Sequence, residues 1–210
     1  MVTPRFLIYI SVLIVVTFFG LIKFKRITLI YKLLGVLVLF TLFNESSLRF
    51  LNLSNATKIV LYQLAVPVTL LLNTLIYFYM KELKKIKYFV LIIGVASVFV
   101  SVLNSVFYQV DIFPSHSVTI LCINLIFFSL LTLKEMISIP VSERLFKNSE
   151  FWFSISNLFF YTITFSSFLL FNYYSDVSWI NNLNYIANLL LYVGYFLAIY
   201  FNSRKYKQYE

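Results

Sequence analysis

The sequence predicts an all-α membrane protein, a single polytopic bundle of seven transmembrane helices over residues 1–210. Hydrophobic residues make up 61% of the chain and charged residues only 12%, a combination that ordinary soluble domains do not show. The apolar residues also occur in blocks that are long enough to cross a hydrocarbon layer of about 30 Å as helices. These blocks are continuously apolar, whereas a membrane strand would alternate apolar and polar residues, so helices are predicted rather than a β-barrel.

Seven apolar blocks define the predicted helices in order. The first block is interpreted as a mature helix and not as a signal peptide, because Lys23, Lys25 and Arg26 follow it in place of a small-x-small cleavage pattern. A membrane-spanning helix needs roughly 17 to 25 residues, and each block has about this length. The predicted spans are residues 6–22, 27–43, 59–80, 88–108, 115–137, 151–172 and 179–201.

Lysine and arginine residues are concentrated on one side of the predicted bundle. Three alternate connections and the C-terminal segment hold most of the 17 basic residues. Basic residues near helix ends stay in the cytoplasm during insertion. The chain is therefore predicted to lie in a bacterial inner membrane, with its N-terminus outside and its C-terminus on the cytoplasmic side. The same asymmetry explains the net charge of +9, so no nucleic-acid partner is expected.

The basic side also carries a candidate docking surface for a protein partner at the cytoplasmic face. A basic residue near an anionic lipid surface contributes about 1 kcal/mol of attraction, so anionic lipid headgroups are a second expected partner. The charges can equally act as an orientation signal alone, and this alternative stays open. The candidate docking residues are Lys81, Lys84, Lys85, Lys87, Arg144 and Lys147.

Polar side chains recur at helical spacing inside several spans. Such groups should turn toward the bundle interior, because an unpartnered amide in hydrocarbon costs several kcal/mol. Pro67 removes one backbone hydrogen bond within the third span and predicts a kink there. Two alternatives follow, namely hydrogen bonds that only fix helix rotation, or a cavity for a ligand or solute. The candidate cavity residues are Gln63, Pro67, Asn73, Asn124, Asn157, Tyr161, Asn188 and Tyr192.

The fourth span carries a stripe of small residues. Gly94, Ser97, Ser101 and Ser105 recur every three or four residues, with Asn104 beside them, so they share one helical face. The chain has no G-x-x-x-G motif, and close helix contacts must therefore use other small residues. The stripe predicts that the fourth helix sits centrally in the bundle.

The longest predicted outer connection covers residues 44–58. It contains the polar residues Asn44, Glu45 and Arg49 together with several leucines and a phenylalanine. This mixture predicts a connecting segment that lies against the membrane surface.

Several chemistries are excluded by the residues that the spans contain. The last span, residues 179–201, has no lysine for a retinal Schiff base. Asp111 and Asp176 both fall in connections, so paired intramembrane aspartates for proteolysis are missing. His116 is the only histidine and Cys122 the only cysteine, so neither a zinc protease motif nor a disulfide is available. The chain is therefore expected to be no enzyme and to use no metal or cofactor.

The segment over residues 130–168 combines a fifth span that ends in Leu-Lys-Glu-Met, a short charged connection, and an aromatic start to the sixth span. Its distinctive residues are Asn148, Phe151, Trp152, Ser154, Phe160 and Tyr161. This pattern resembles a family of small, uncharacterised bacterial seven-helix membrane proteins. Members of this family are frequently encoded beside two-component sensor kinases, which implies an accessory signalling or membrane-sensing role. The resemblance carries over no catalytic residues.

Three functions are compatible with this pattern. The first is a sensory or regulatory membrane subunit, which would need a partner because the chain has no signalling domain. The second is a small solute carrier or channel with three-plus-one-plus-three helices, although Gln63 and Pro67 have no counterpart in the seventh span. The third is a pore-forming effector that assembles as a homo-oligomer in the bilayer.

Overall fold

The computed structural model describes residues 4–51, 53–137, 142–171 and 178–206, and this part of the chain is helical without any strand. Seven of its helices are long and apolar enough to cross a membrane. The predicted all-α bundle is thus confirmed, and its architecture is the one expected of a multi-pass membrane protein. The helices are α1 Pro4–Lys23, α2 Leu29–Phe50, α3 Asn55–Tyr79, α4 Lys87–Leu103, α5 Ser115–Ile137, α6 Ser149–Phe171 and α7 Ser178–Tyr206, with short helical turns at Phe24–Arg26, Asn104–Tyr108 and Ser142–Lys147.

Helix ends extend beyond several of the predicted apolar spans. The observed α5 has the predicted bounds, whereas α2 continues to Phe50 and α7 continues to Tyr206. Hydropathy marks where contact with lipid ends, but the backbone hydrogen bonds of a helix continue into the headgroup region, where polar side chains are hydrated. Polar residues at these ends therefore belong to the helices.

The connection between α2 and α3 is much shorter than predicted. Asn44, Glu45 and Arg49 lie in the last turns of α2, so the prediction that these residues belong to a connection is wrong. The next helix starts directly after Ser54, whose Oγ accepts a hydrogen bond from the backbone N–H of Thr57 at 3.2 Å. This is a standard N-cap, and it explains why α3 begins before the apolar run does.

Six of the helices form a closed ring, and α4 lies outside it. Consecutive helices pack on each other, α1 packs on α7, and α3 packs directly on α5. The fourth helix packs on α3 and α5 only, apart from minor contacts. Its buried residues are limited to Val90, Gly94 and Ser101. The predicted central position of this helix is wrong, because its apolar residues outside the stripe face away from the bundle, as Ile92 and Phe99 do.

The small-residue stripe of α4 nevertheless makes the helix contacts that such residues allow. A Cβ atom added to Gly94 would lie 2.8 Å from the Cβ of Thr74, so α3 and α4 approach closely there. On the α5 side, the Nδ2 of Asn124 donates a hydrogen bond to the Oγ of Ser97 at 3.0 Å. The stripe therefore fixes α4 against two neighbours at the edge of the ring.

Candidate functional site

A cavity of about 250 Å³ lies inside the six-helix ring. It is located on the side of the bundle where α1, α3, α5 and α7 begin, which we call the N-terminal side. All six ring helices contribute lining residues, and α4 contributes none among the described residues. The polar and aromatic lining residues are Tyr9, Phe40, Thr41, Asn44, Glu45, Tyr62, Thr69, Phe113, Phe160, Tyr161, Thr164, Phe168, Asn188, Tyr192 and Tyr195.

The end of α2 supplies the charged group of the cavity. Leu37, Thr41 and Glu45 are spaced four residues apart, so they share the helical face that lines the cavity. Glu45 is the only charged residue among the described residues of the lining. Hydropathy ends the second span at residue 43 and so leaves this residue out of the predicted site, although the four-residue spacing from Leu37 indicates this face.

Arg49 follows Glu45 by one helical turn and attracts its carboxylate. The guanidinium does not belong to the cavity lining and lies over the ring of Phe6, 5.4 Å from its centroid. Glu45 is half-buried, whereas Arg49 is exposed. The cavity therefore contains an acidic group, and its basic neighbour Arg49 on the same helix lies outside the cavity lining.

Tyrosine rings surround the same region. The centroids of Tyr9 and Tyr192 lie 5.8 Å apart, and those of Tyr192 and Tyr195 also lie 5.8 Å apart. Tyr62 contacts the ring of Phe113 edge to face at 5.2 Å. Glu45 lines the same cavity as Tyr9, Tyr62 and Tyr192. Each tyrosine combines an aromatic face with a hydroxyl, so the wall can contact both apolar and polar parts of a ligand.

A hydrogen-bonded layer of buried side chains lies below the cavity. The hydroxyl of Tyr195 donates to the Oδ1 of Asn157 at 2.6 Å, and the Nδ2 of Asn157 donates to the hydroxyl of Tyr77 at 3.1 Å. The Tyr77 hydroxyl lies 2.7 Å from the Oγ of Ser129, which donates to the backbone carbonyl of Leu125 at 2.6 Å. The layer links α7, α6, α3 and α5.

Two phenylalanine rings fill the space around this layer. Phe128 and Phe153 both contact the ring of Tyr77, at 5.6 and 5.3 Å between centroids, and Phe153 also stacks on Tyr195 at 5.4 Å. Tyr77, Phe128, Phe153 and Asn157 are fully buried or nearly so. The ring interior is consequently closed on the side opposite the cavity.

Four of the eight predicted cavity residues lie at the cavity or in the layer below it. Tyr161, Asn188 and Tyr192 line the cavity, and Asn157 belongs to the layer below it. Asn188 donates to the backbone carbonyl of Asn184 at 2.8 Å, which orients its side chain along α7. The structure thus brings together half of the predicted set around one interior space.

The other four predicted cavity residues lie outside the lining. The Nε2 of Gln63 donates to the backbone carbonyls of Gln109 and Val110, at 2.5 and 2.7 Å. These hydrogen bonds hold the α4–α5 connection against α3. Asn73 donates to the backbone carbonyl of Thr69 at 2.9 Å, and Asn124 bonds α4 as described above. Pro67 is buried within a continuous α3.

The predicted docking residues lie on the side opposite the cavity. Lys81, Lys84, Lys85 and Lys147 are exposed. The side chain of Arg144 lies outside the described part of the chain. The two segments that carry the set approach each other, because the Nδ2 of Asn148 donates to a carboxylate oxygen of Glu82 at 3.3 Å. Lys87 differs from the others, because its ammonium group lies over Phe78 and Tyr88, 5.5 and 4.8 Å from their ring centroids.

Comparisons with protein families, with characterised proteins and with solved structures find no match to this chain. The resemblance to the seven-helix family therefore stays a prediction that depends on the residues of the fifth and sixth helices. Any function must be argued from the geometry of the cavity, the layer and the basic face.

Proposed function

We propose that the chain is a sensory or regulatory membrane subunit that binds a small molecule in the cavity and acts through a partner at its basic face. The observation that carries this proposal is a polar and aromatic cavity that is closed on one side by the hydrogen-bonded layer. Such a site is concave, contains few polar groups and is lined by convergent helices, as ligand sites in helix bundles usually are.

Closure on one side favours sensing over conduction. A channel needs a continuous polar path, but Phe128, Phe153 and Tyr77 are fully buried across the interior. A ligand could enter from the N-terminal side and would meet the layer at Tyr195. Binding there can shift the relative stability of two arrangements of the helices without any passage through the membrane.

Tyr195 supplies a physical connection between the cavity and the opposite side. Its ring lines the cavity, and its hydroxyl donates to Asn157, which in turn donates to Tyr77 near the end of α3. The segment with Lys81 and Lys84 follows directly after α3. Coupling between two sites is typically worth about 1 to 3 kcal/mol, which one or two hydrogen bonds of this layer can supply.

The distribution of basic residues gives the orientation that we propose with this function. The basic face would lie on the cytoplasmic side of a bacterial inner membrane, and the cavity would open to the outer side. Exposed lysines such as Lys81, Lys84 and Lys85 would then steer an acidic surface of a protein partner toward the end of α3. The resemblance to proteins encoded beside sensor kinases agrees with such a partner.

Site-specific photo-crosslinking in cells tests this proposal. A crosslinker at Lys84 should capture a defined partner, and the variant Tyr195→Phe should change the yield, because it removes the hydrogen bond to Asn157. A crosslinker at Phe107, which is exposed at the other end of the α4 segment, is the matched control. Capture of no partner at position 84, combined with solute movement by the purified protein in vesicles, would lead us to abandon the sensor function.

A solute carrier is the second candidate, and the position of α4 favours it. Helices α1 to α3 and α5 to α7 form the ring, while α4 connects the two triplets from outside. This is the arrangement expected of a three-plus-one-plus-three carrier. Alternating access would require the layer at Tyr77 and Asn157 to open. Uptake into proteoliposomes that is lost when the layer is locked by a cysteine crosslink between α3 and α6 would support a carrier.

A further inference from the structure

We infer that the ligand of the cavity is a small organic cation that carries an ammonium group. This inference rests on the proposed ligand-binding function and specifies the chemical class of its ligand. It depends on three features of the described lining, namely the single carboxylate of Glu45, the tyrosine rings around it, and the lack of any lysine or arginine.

The carboxylate sets the preferred charge. Glu45 is the charged residue among the described residues of the lining, and the guanidinium of its neighbour Arg49 lies outside the lining over the ring of Phe6. An anionic ligand would be repelled by this group and would find no basic residue among the described residues of the lining. A neutral apolar ligand would displace water from the carboxylate without replacing its hydrogen bonds, which is unfavourable in a site of low dielectric constant.

The tyrosine rings favour a cation in the same place. The faces of aromatic rings carry negative electrostatic potential, and they attract ammonium groups within about 6 Å of the ring centroid. Tyr9, Tyr62 and Tyr192 line the same cavity of about 250 Å³ as Glu45, so a cation bound in the cavity at the carboxylate also lies near these rings. Their hydroxyls add hydrogen-bonding groups for a polar substituent of the ligand.

The position of Arg49 leaves the carboxylate available. Its guanidinium lies over the ring of Phe6 and outside the cavity lining, so it attracts Glu45 from outside the space that a ligand would fill. The volume of about 250 Å³ is below the range typical for drug-sized ligands and suits a molecule of the size of choline.

Binding to the full chain in lipid nanodiscs tests the inference with a matched pair of compounds. Choline is compared with dimethylbutanol, in which a carbon atom replaces the quaternary nitrogen and removes the charge, and ethanolammonium serves as a second cation. Calorimetric titration should show that at least one cation binds about tenfold more tightly than dimethylbutanol. The variant Glu45→Gln should lose about tenfold in affinity for that cation.

The variant Glu135→Gln is the matched control. It removes a carboxylate from the end of α5, on the side opposite the cavity, and should leave cation affinity unchanged. Unaltered binding of dimethylbutanol to Glu45→Gln would show that the cavity of this variant is still folded.

Two results would overturn the inference, and they separate it from the proposed function. Equal affinity for the cations and for dimethylbutanol would refute charge selection, while the cavity would still be a ligand site. Binding of none of the three compounds would refute the ligand class, and the sensory function would be refuted with it only if the crosslinking yield at Lys84 also does not respond to Tyr195→Phe.

Discussion

Replacement of Gly194 by alanine should separate α6 from α7 and weaken the bundle next to the cavity. A Cβ atom at this position would lie 2.6 Å from the Cβ of Ser156 and 3.3 Å from the backbone carbonyl oxygen of Trp152. Carbon atoms in good contact are about 3.5 to 4.0 Å apart, so the two helices must separate by about 1 Å. A rotamer change cannot relieve this contact, because the position of a Cβ atom is set by the backbone. Overpacking of this kind destabilises a protein by about 1 to 3 kcal/mol.

A second glycine provides the control that isolates this steric effect. A Cβ atom at Gly35 in α2 meets no atom within 4 Å, so Gly35→Ala changes helix propensity without a clash. The propensity change is common to both variants and cancels in the comparison. Gly194→Ala should therefore have a free energy of unfolding about 1 to 3 kcal/mol lower than that of Gly35→Ala.

Denaturant titration in mixed micelles, followed by circular dichroism, measures the difference between these two variants. Ser156→Gly combined with Gly194→Ala should recover part of the loss, because it removes the side chain that clashes with the new methyl group. Equal stability of Gly194→Ala and Gly35→Ala would refute the close approach of α6 and α7.

Three further predictions follow from individual contacts. Tyr195→Phe removes the hydrogen bond to Asn157 and should lower the free energy of unfolding by about 1 kcal/mol in the same titration; no change would mean that water or another donor replaces the hydroxyl. Gly94→Ala should destabilise the bundle by about 1 to 3 kcal/mol. The double variant with Thr74→Ala should recover part of this loss, whereas additive losses of stability from the two substitutions would contradict the contact between Gly94 and Thr74. Gln63→Leu should speed hydrogen exchange of the α4–α5 connection while α7 stays protected, because the variant loses both hydrogen bonds to that connection; unchanged exchange in the connection would show that Gln63 does not hold it.

The candidate site could be predicted from the sequence only in part. The rule that polar groups avoid lipid pointed to Tyr161, Asn188 and Tyr192, and these residues do line the cavity. The same rule also selected Gln63 and Asn124, which bond to the α4–α5 connection and to α4 instead. Inward orientation is a property of one helix, whereas a shared cavity depends on which helices become neighbours.

The charged residue of the cavity shows a different limit. Glu45 was assigned to a connection because a carboxylate ends an apolar run, yet α2 continues beyond it. In the folded bundle, a polar residue near a helix end can face an interior space rather than lipid. Hydropathy averaged over a window cannot distinguish these two environments.

Hydropathy along the chain predicts a membrane protein of seven helices, because the transfer free energy of each residue into lipid is a local quantity that sums along a segment. The placement of lysine and arginine also predicts an orientation. The position of α4 outside the ring, the contact of Tyr195 with Asn157 and the contact of Asn157 with Tyr77 are seen only in the folded bundle. These contacts join residues far apart in the chain, and their energies depend on the distance and rotation between helices, which no single segment contains.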